Sequence, residues 1–473
     1  MRSNSEPTAA TSADSVCWSK REPRPRERPQ KMFRCNHPKV GCFFQNERHL
    51  RNGLKDGRSV SFSHLGNRPP TQLRKSRQRS TATPKCAVSS TEPSPASLRF
   101  VVRMKVALVV HDFDSTYGQG RYCVEIVRLL REQVQFTVYA SFWNDAAIPD
   151  DVVIRRVPAW RARALTTIFS FIPLAELAVR RGRHDLIHSQ GLTCWSADVI
   201  TGHVCNAARL KQTPLTQIKS RRSMKLVIPL ERAFYRQRRA RRLIAISRVM
   251  AREITEEYGW NRPVDLIYHG TNLTQFRPAR DSEEKRALRQ QYRLPADGWV
   301  WVFAGEAVKG LSEVLKQLPH FPEAHLLVLT RSSLAAFQDE ANRLGISGRV
   351  TFHGFELQPE LAFRASDTFV YPSRYDTFGM VGAEAMASGL SVVLGRDIGV
   401  AELIDAGRNG MVCSPQNPSD LRAQLSRLAE SPGFGIALGR AARKTIERYD
   451  WDACARATLK SYETAIRDRE SQS

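Results

Sequence analysis

The sequence lacks any apolar run of the ~20 residues that a membrane-spanning helix needs. The nearest, LTTIFSFIPLAELAV over residues 165–179, is too short and contains Pro173 and Glu176. The start of the chain lacks the apolar stretch of a secretory leader. Paired cysteine spacing is missing as well. Four of the nine cysteines (Cys17, Cys35, Cys42, Cys86) lie in the first hundred residues, and Cys123, Cys194, Cys205, Cys413 and Cys454 are scattered. This argues against a disulfide scaffold and for a reduced setting with buried thiols. Cys35, His37 and Cys42 lack a fourth ligand at a zinc-site spacing. Acidic residues are scarce, 47 against 72 lysines and arginines, giving a net charge of +25. No zinc-finger spacing, aromatic stacking platform or recognition module accompanies that charge, so a specific nucleic-acid partner is not expected.

The charge is unevenly placed. Residues 1–103 hold 21 basic against 7 acidic residues, so +14 of the +25 lies there. This stretch, rich in Arg, Ser, Pro and Thr, has too little apolar surface to offset the entropy of ordering, and a disordered extension is expected. Three origins fit it: translation from a point upstream of a natural start at Met104, a basic tail for membrane or nucleic acid, or a transit peptide.

From Met104 the pattern changes. MKVALVV has the length and composition of a buried strand, followed by a loop with Gly118 and Gly120 and the helix RYCVEIVRLLREQ. Further strands are expected at FTVYASF, DLIHS, DVITGHV and RLIAIS, with Ser247 capping the helix RVMAREITEEYG. A second alternating series begins at WVWVFAG and continues through HLLVLT, RVTFHGF and TFVYPS. Two such runs predict an α/β protein with two doubly wound, Rossmann-like sheets, and ligands in such sheets bind at the strands' carboxyl ends. The expected division is an acceptor-side domain over 104–272, a donor-binding domain over 273–445, and a C-terminal helix and tail over 446–473 that packs back on the first domain.

The densest signal is YPSRYDTFGMVGAEAMASGLSVVLGRDIGVAELI, residues 371–404. Asp376 and Glu384 stand with seven residues between them. The turn Phe378-Gly379-Met380 follows the first acid, the second opens an Ala-rich helix, AEAMASG, and Glu402 follows a later glycine turn. A turn with free N–H groups at a helix start suits an anion. Carboxylates beside it suit the hydroxyls of a ribose or hexose. A surface acid and an ordinary helix-start glutamate on an α/β repeat are the alternative.

This segment resembles the donor-binding segment of the retaining GT-B glycosyltransferases of family 4 (group 1), and the resemblance extends over residues 104–465. Glu384, Ala385, Met386, Ala387 and Gly389 match the family pattern, and Asp376 stands where its first glutamate usually stands. IYHGTNLTQFRP is similar to the family's interdomain segment. FAGEAVKGL is similar to the loop that supplies an Arg and a Lys near the donor diphosphate. There Lys309-Gly310 match, while Glu306 occupies the Arg position. The resemblance implies a retaining hexosyltransferase that uses a UDP- or GDP-linked sugar. In it Glu384 holds the ribose, Asp376 the hexose, and Phe378, Gly379 and Met380 offer backbone N–H groups. Lys309, Gly118 and Gly120 would stabilise the diphosphate, with Arg331 and Arg374 as candidates for the charge that Glu306 does not supply. His203 would lie near the transferred sugar. His188 is read as more often structural, and His111 and Asp112 as acceptor-facing. No covalent nucleophile is named. No cofactor or metal is expected, the globular part being read as free of a metal-binding Asp-x-Asp arrangement.

Residues 219–242 hold ten basic residues and one acid. With a helix starting near Pro229, Arg232, Arg236 and Arg239 fall on one face, as in a helix that lies on an anionic membrane surface. A solvated helix face is the alternative. The run from 188 to 276 resembles enzymes of lipopolysaccharide-core and related cell-envelope biosynthesis. That implies a glycan or lipid-linked acceptor and a cytoplasmic enzyme peripheral to the inner face of the cytoplasmic membrane, with phosphatidylinositol mannosyl transfer or a soluble acceptor as the alternatives. Asp376 and Glu306 also fit a catalytically weak or inactive scaffold on the same fold.

Overall fold

The computed structural model describes residues 103–116, 118–144, 149, 151–212 and 221–471. The basic extension, with its four cysteines, lies outside them except for Arg103. Two large, wholly parallel sheets organise the described residues, beside a small two-stranded one that pairs Asp112–Phe113 with Phe142–Trp143. The first contains β1 (Met104–Val109), β2 (Val134–Ala140), β3 (Val153–Arg156), β4 (Leu186–Gln190), β5 (Val199–Gly202), β6 (Arg242–Ala245) and β7 (Val264–Leu266), in the order β3-β2-β1-β4-β5-β6-β7. The second contains β8 (Trp299–Ala304), β9 (Ala324–Leu329), β10 (Val350–Gly354), β11 (Thr368–Tyr371), β12 (Ser391–Gly395) and β13 (Met411–Cys413), in the order β10-β9-β8-β11-β12-β13. The expectation of two Rossmann-like sheets holds. The central strands are continuous apolar runs because helices cover both faces of a parallel sheet; Val106, Ala107, Leu108 and Val109 are all fully buried.

Each sheet reverses its strand order beside its first strand, at β1/β4 and at β8/β11. The crevice of a doubly wound sheet opens at such a point. The loop after β8 and the loop after β11 therefore emerge side by side. They touch: a Cβ on Gly310, whose φ is +112°, would lie 2.9 Å from the Pro372 carbonyl oxygen.

Seven helices matter for the site: α1 (Gly118–Leu130), α2 (Ala164–Arg180), α3 (Asn206–Gln212), α4 (Arg221–Arg236), α5 (Arg248–Tyr258), α6 (Met380–Ala387) and α7 (Trp451–Glu470). Ser247 caps α5 as expected, its Oγ accepting the Met250 N–H at 3.0 Å. Two expectations are corrected. Gly118 and Gly120 form the first turn of α1, not a preceding loop. Gly120 has a steric reason, since a Cβ there would sit 2.2 Å from the Asp114 carbonyl oxygen. The basic helix α4 starts at Arg221 and carries the exposed Pro229 in its interior. It ends at Arg236, so Arg239 lies beyond it.

The halves share one core. Ala197, Ile200, Met250 and Ile254 of the first half belong to the same buried cluster as Val302, Phe378, Ile398 and Val400 of the second. A separate cluster on the other face of the first sheet is completed by α7, through Trp451, Cys454, Ala455 and Tyr462.

Candidate active site

Between β11 and α6 the chain makes a tight loop, fastened by hydrogen bonds from Gly399 N to Asp376 O (3.1 Å) and from Val400 N to Phe378 O (2.6 Å). The loop holds Asp376 at the mouth of the crevice, 14% exposed. Lys309 Nζ and the Tyr371 hydroxyl both donate to its Oδ2, at 2.8 and 2.9 Å. Burial raises the pKa of this carboxyl. The Lys309 charge and hydrogen bond, the Tyr371 hydroxyl and the Phe378 N–H together outweigh that and hold it below the usual range, so Asp376 is an anion at neutral pH.

Glu384 lies one turn into α6 and faces the other half. Its Oε1 accepts from Arg121 Nη1 of α1 at 2.6 Å, and the carboxylate is only 8% exposed. Burial raises its pKa, and Arg121 offsets part of that rise. The starts of α1 and α6 approach closely, since a Cβ on Gly118 would lie 3.3 Å from Met380 Sδ.

A cavity of about 260 Å³ opens beside Asp376. Its wall from the second half is Glu306, Val308, Lys309 and Ser373 to Thr377; Val204 and Arg209 supply the wall from the first half. The structure thus brings Asp376, Lys309, Arg374 and Glu306 together. Arg331 is not in the cavity wall; its guanidinium stacks 3.9 Å from the Phe355 ring. Arg374 Nη2 lies 3.4 Å from Glu313.

His203 is buried at the end of β5, next to the cavity residue Val204. Its Nε2 pairs with Gln190 Oε1 at 2.7 Å and its ring stacks on His269, 5.7 Å away. Burial, with two other histidines near, drives its pKa well below the usual value, so the ring is neutral. His188 is bonded on both nitrogens, to the Tyr462 hydroxyl (2.8 Å) and Thr201 Oγ1 (2.7 Å). His111 packs on Phe171. Asp112-Phe113-Asp114 is an Asp-x-Asp triplet, contrary to the reading that the globular part has none. Both its carboxylates are engaged: Asp112 pairs with Arg161 at 2.5 Å, and Asp114 Oδ1 accepts the Thr116 N–H and hydroxyl. Glu402 is structural; its carboxylate accepts the Arg248 and Val249 N–H groups at the start of α5.

The three arginines expected to face a membrane are exposed, and each also donates one hydrogen bond to the protein's own backbone. Arg232 Nε donates to Glu257 O, Arg236 Nε to Tyr258 O and Arg239 Nε to Ser196 O. The first two satisfy carbonyls at the end of α5, which the helix itself leaves open.

Sequence reasoning missed Arg121, Arg209, Tyr371 and Tyr375. Tyr371 and Tyr375 flank Asp376 in a segment already singled out. Arg121 directly follows the glycine pair. Arg209, within AARLKQ, carries no signal of its own.

With this geometry in place, comparison with known proteins is informative. The family description "Glycosyltransferase Family 4" matches residues 116–275, and "Glycosyl transferases group 1" matches residues 284–445. A D-inositol 3-phosphate glycosyltransferase of Streptomyces bingchenggensis is 32% identical over 247 residues, 48% of this chain and 54% of that protein. The chain thus spans about half the length of that relative. A second D-inositol 3-phosphate glycosyltransferase, of Streptomyces scabiei, is 29% identical over 394 residues, 74% of this chain and 87% of that one. Among solved structures, WaaG, a glycosyltransferase involved in lipopolysaccharide biosynthesis, superposes with a TM-score of 0.64 over 76% of this chain and 99% of its own, at 17% identity. That likeness bears on the fold alone. Two sheets with their switch points facing one crevice, and two family descriptions that divide the same residues between them, lead to one assignment: the chain belongs to the group 1, family 4 glycosyltransferases of the GT-B fold.

Proposed function

We propose that this chain transfers a hexose from a UDP- or GDP-linked sugar to an acceptor hydroxyl, with retention at the anomeric carbon and without a metal ion. Its working parts are a domain over 104–272, a domain over 273–445 and the returning segment 446–473. The observation that carries the reading is the pair Asp376 and Glu384: one ionised acid at the cavity mouth, the other buried where the two halves meet. Asp376 orients hexose hydroxyls and Glu384 accepts from the ribose. The N–H groups of Phe378 to Met380 position sugar and phosphate, and Lys309 meets the charge that develops on the departing diphosphate. Arg374 adds to it from the cavity wall.

His203, neutral and beside the cavity, supports the acceptor side through Gln190 and His269. The acceptor is a glycan, a lipid-linked glycan or a phosphorylated polyol. The names of the curated relatives favour the last. No helix among the described residues is long and apolar enough to cross a membrane. A peripheral site at an anionic membrane surface is supported best by α2 and its approach. Trp160 is 69% exposed there, with Phe169, Leu174 and Leu177 also outward. Arg155, Arg156, Arg161, Arg163, Arg180 and Arg181 precede and follow them in the sequence and are exposed. Apolar anchors with a basic rim suit anionic headgroups.

A thermal-shift screen against UDP-, GDP- and ADP-sugars tests the reading, because a ligand of the native state raises Tm. One sugar nucleotide should stabilise the chain, and its consumption should persist in EDTA. No shift with any of them favours the second reading, an inactive scaffold, for which Glu306 in the cavity wall is the supporting observation.

A further inference from the structure

Five Arg, Lys, Asp and Glu side chains line the cavity: Arg209, Glu306, Lys309, Arg374 and Asp376. Two of the three cations already have partners, Lys309 in Asp376 and Arg374 in Glu313. Among the described residues the Arg209 guanidinium has no hydrogen-bond or ion-pair partner. It is solvent-exposed, yet it faces a wall built from the opposite half of the molecule.

Its position is nevertheless fixed. The Arg209 backbone N–H donates to the Cys205 carbonyl at 2.9 Å. The Tyr375 hydroxyl donates to that same carbonyl at 3.2 Å, and Tyr375 stands between Arg374 and Asp376 in the second half. One carbonyl thus ties the turn that carries Arg209 to the loop that carries the other cavity charges. A long cation held at its root, with its head unpaired in a cavity, is arranged to receive an anion. Glu306 in the same wall opposes an anion, so the paired Lys309 and Arg374 leave a deficit that Arg209 fills. A guanidinium is also the side chain best shaped to grip phosphate oxygens two at a time.

We propose that Arg209 is the first half's member of a phosphate clamp, closing on a phosphate group against Lys309 and Arg374. The phosphate belongs either to the donor's diphosphate or to the acceptor. The identity of the ligand rests on the transferase reading, whereas the binding of a phosphate anion does not.

Titration calorimetry of the whole chain with pyrophosphate, UDP and GDP tests the clamp, together with transfer kinetics using inositol 3-phosphate and inositol as acceptor probes. In the donor case Arg209→Ala weakens pyrophosphate and the preferred nucleoside diphosphate at least tenfold, leaves the parent nucleoside unchanged, and Arg209→Lys recovers part of the loss. In the acceptor case the nucleotide affinities stay at wild-type values. The KM for inositol 3-phosphate then rises at least tenfold, while that for inositol does not. Because the side chain is exposed, an unchanged melting temperature in both variants is expected and separates binding from folding. If Arg209→Ala matches the wild type for pyrophosphate, for both nucleotides and for the phosphorylated probe, the clamp is overturned. If the wild type binds pyrophosphate through Arg209 but no nucleoside diphosphate, the clamp stands and the transferase reading falls.

Discussion

Asp376 and Glu384 share a charge but sit in opposite surroundings. Lys309 and Tyr371 keep the first acid ionised, while burial works against the ionisation of the second. Glu384→Gln keeps the size and an acceptor for Arg121 but removes the charge. The fold should survive and sugar-nucleotide turnover should fall at least a hundredfold, with the nucleotide Kd raised; turnover within a factor of three of wild type would end its assignment to the ribose. The sequence made both acids visible through their spacing. It could not show their partners, because Arg121 is 263 positions from Glu384 and Lys309 is 67 from Asp376. Glu253 was invisible for the same reason. It lies on α5 under Tyr375, whose hydroxyl is 3.2 Å from its Oε2, and burial pushes its pKa up to about 7. The sign follows from linkage. An acid whose native pKa is raised binds more protons folded than unfolded, so stability falls as pH rises from about 4.5 to about 7 and the cost is complete above that. Glu253→Gln should therefore raise Tm relative to wild type at pH 8 and have little effect at pH 5. Equal shifts at both values would show that this carboxyl does not titrate as argued.

At the scale of elements, the strands were legible because buried parallel strands are uninterrupted apolar runs, and WVWVFA or SVVLG admits little else. Helix starts were less so. Pro229 suggested the first turn of a helix, the position that proline favours. Yet α4 begins eight residues earlier and carries the ring on its solvent side. The pair Gly118 and Gly120 has the sequence pattern of a loop, whereas it is the first turn of α1, made of glycine so that the helix can sit against the Asp112–Asp114 turn and face α6. Gly120→Ala tests this. The new Cβ would lie 2.2 and 2.9 Å from the carbonyl oxygens of Asp114 and Asp112, which are backbone atoms and cannot swing aside. Overpacking of this kind costs about 1–3 kcal/mol, and it must also displace the start of α1 from Met380 and Arg121 from Glu384. The variant should melt several degrees lower and lose affinity for the sugar nucleotide. A loss of stability with unchanged affinity would show that α1 does not position the donor side.

At the scale of the molecule, the end of the chain completes its beginning. α7 is last in sequence, yet Trp451, Cys454, Ala455 and Tyr462 share a buried cluster with Val106, Tyr122, Leu186 and Ile244 of the first half. Tyr462 meets His188 of β4, Thr458 meets Tyr122 of α1, and Asp468 meets Arg242 of β6. The sequence places this helix back on the first domain but cannot name its partners there, because Tyr122, His188 and Arg242 lie 336, 274 and 226 positions from Thr458, Tyr462 and Asp468. The core that the second sheet shares with the first half takes no buried residue from α7, so the second sheet depends on that helix far less. Removing residues 451–471 would bare one face of the first sheet and strip His188, wholly buried, of its Tyr462 partner. Burying a large apolar side chain contributes about 1.5–3 kcal/mol, so the loss of Trp451 and Tyr462, with the smaller buried residues and the broken hydrogen bonds, is comparable with the whole stability of an ordinary domain, about 5–15 kcal/mol. Calorimetry of the shortened chain should therefore show the first half without a cooperative transition and the second half still melting, with limited proteolysis confined to residues before about 272. A single transition at the wild-type temperature would mean that α7 only rests on the first half, and that the coupling between the two halves runs through the shared core and the Ser247, Tyr375 and Glu402 contacts alone.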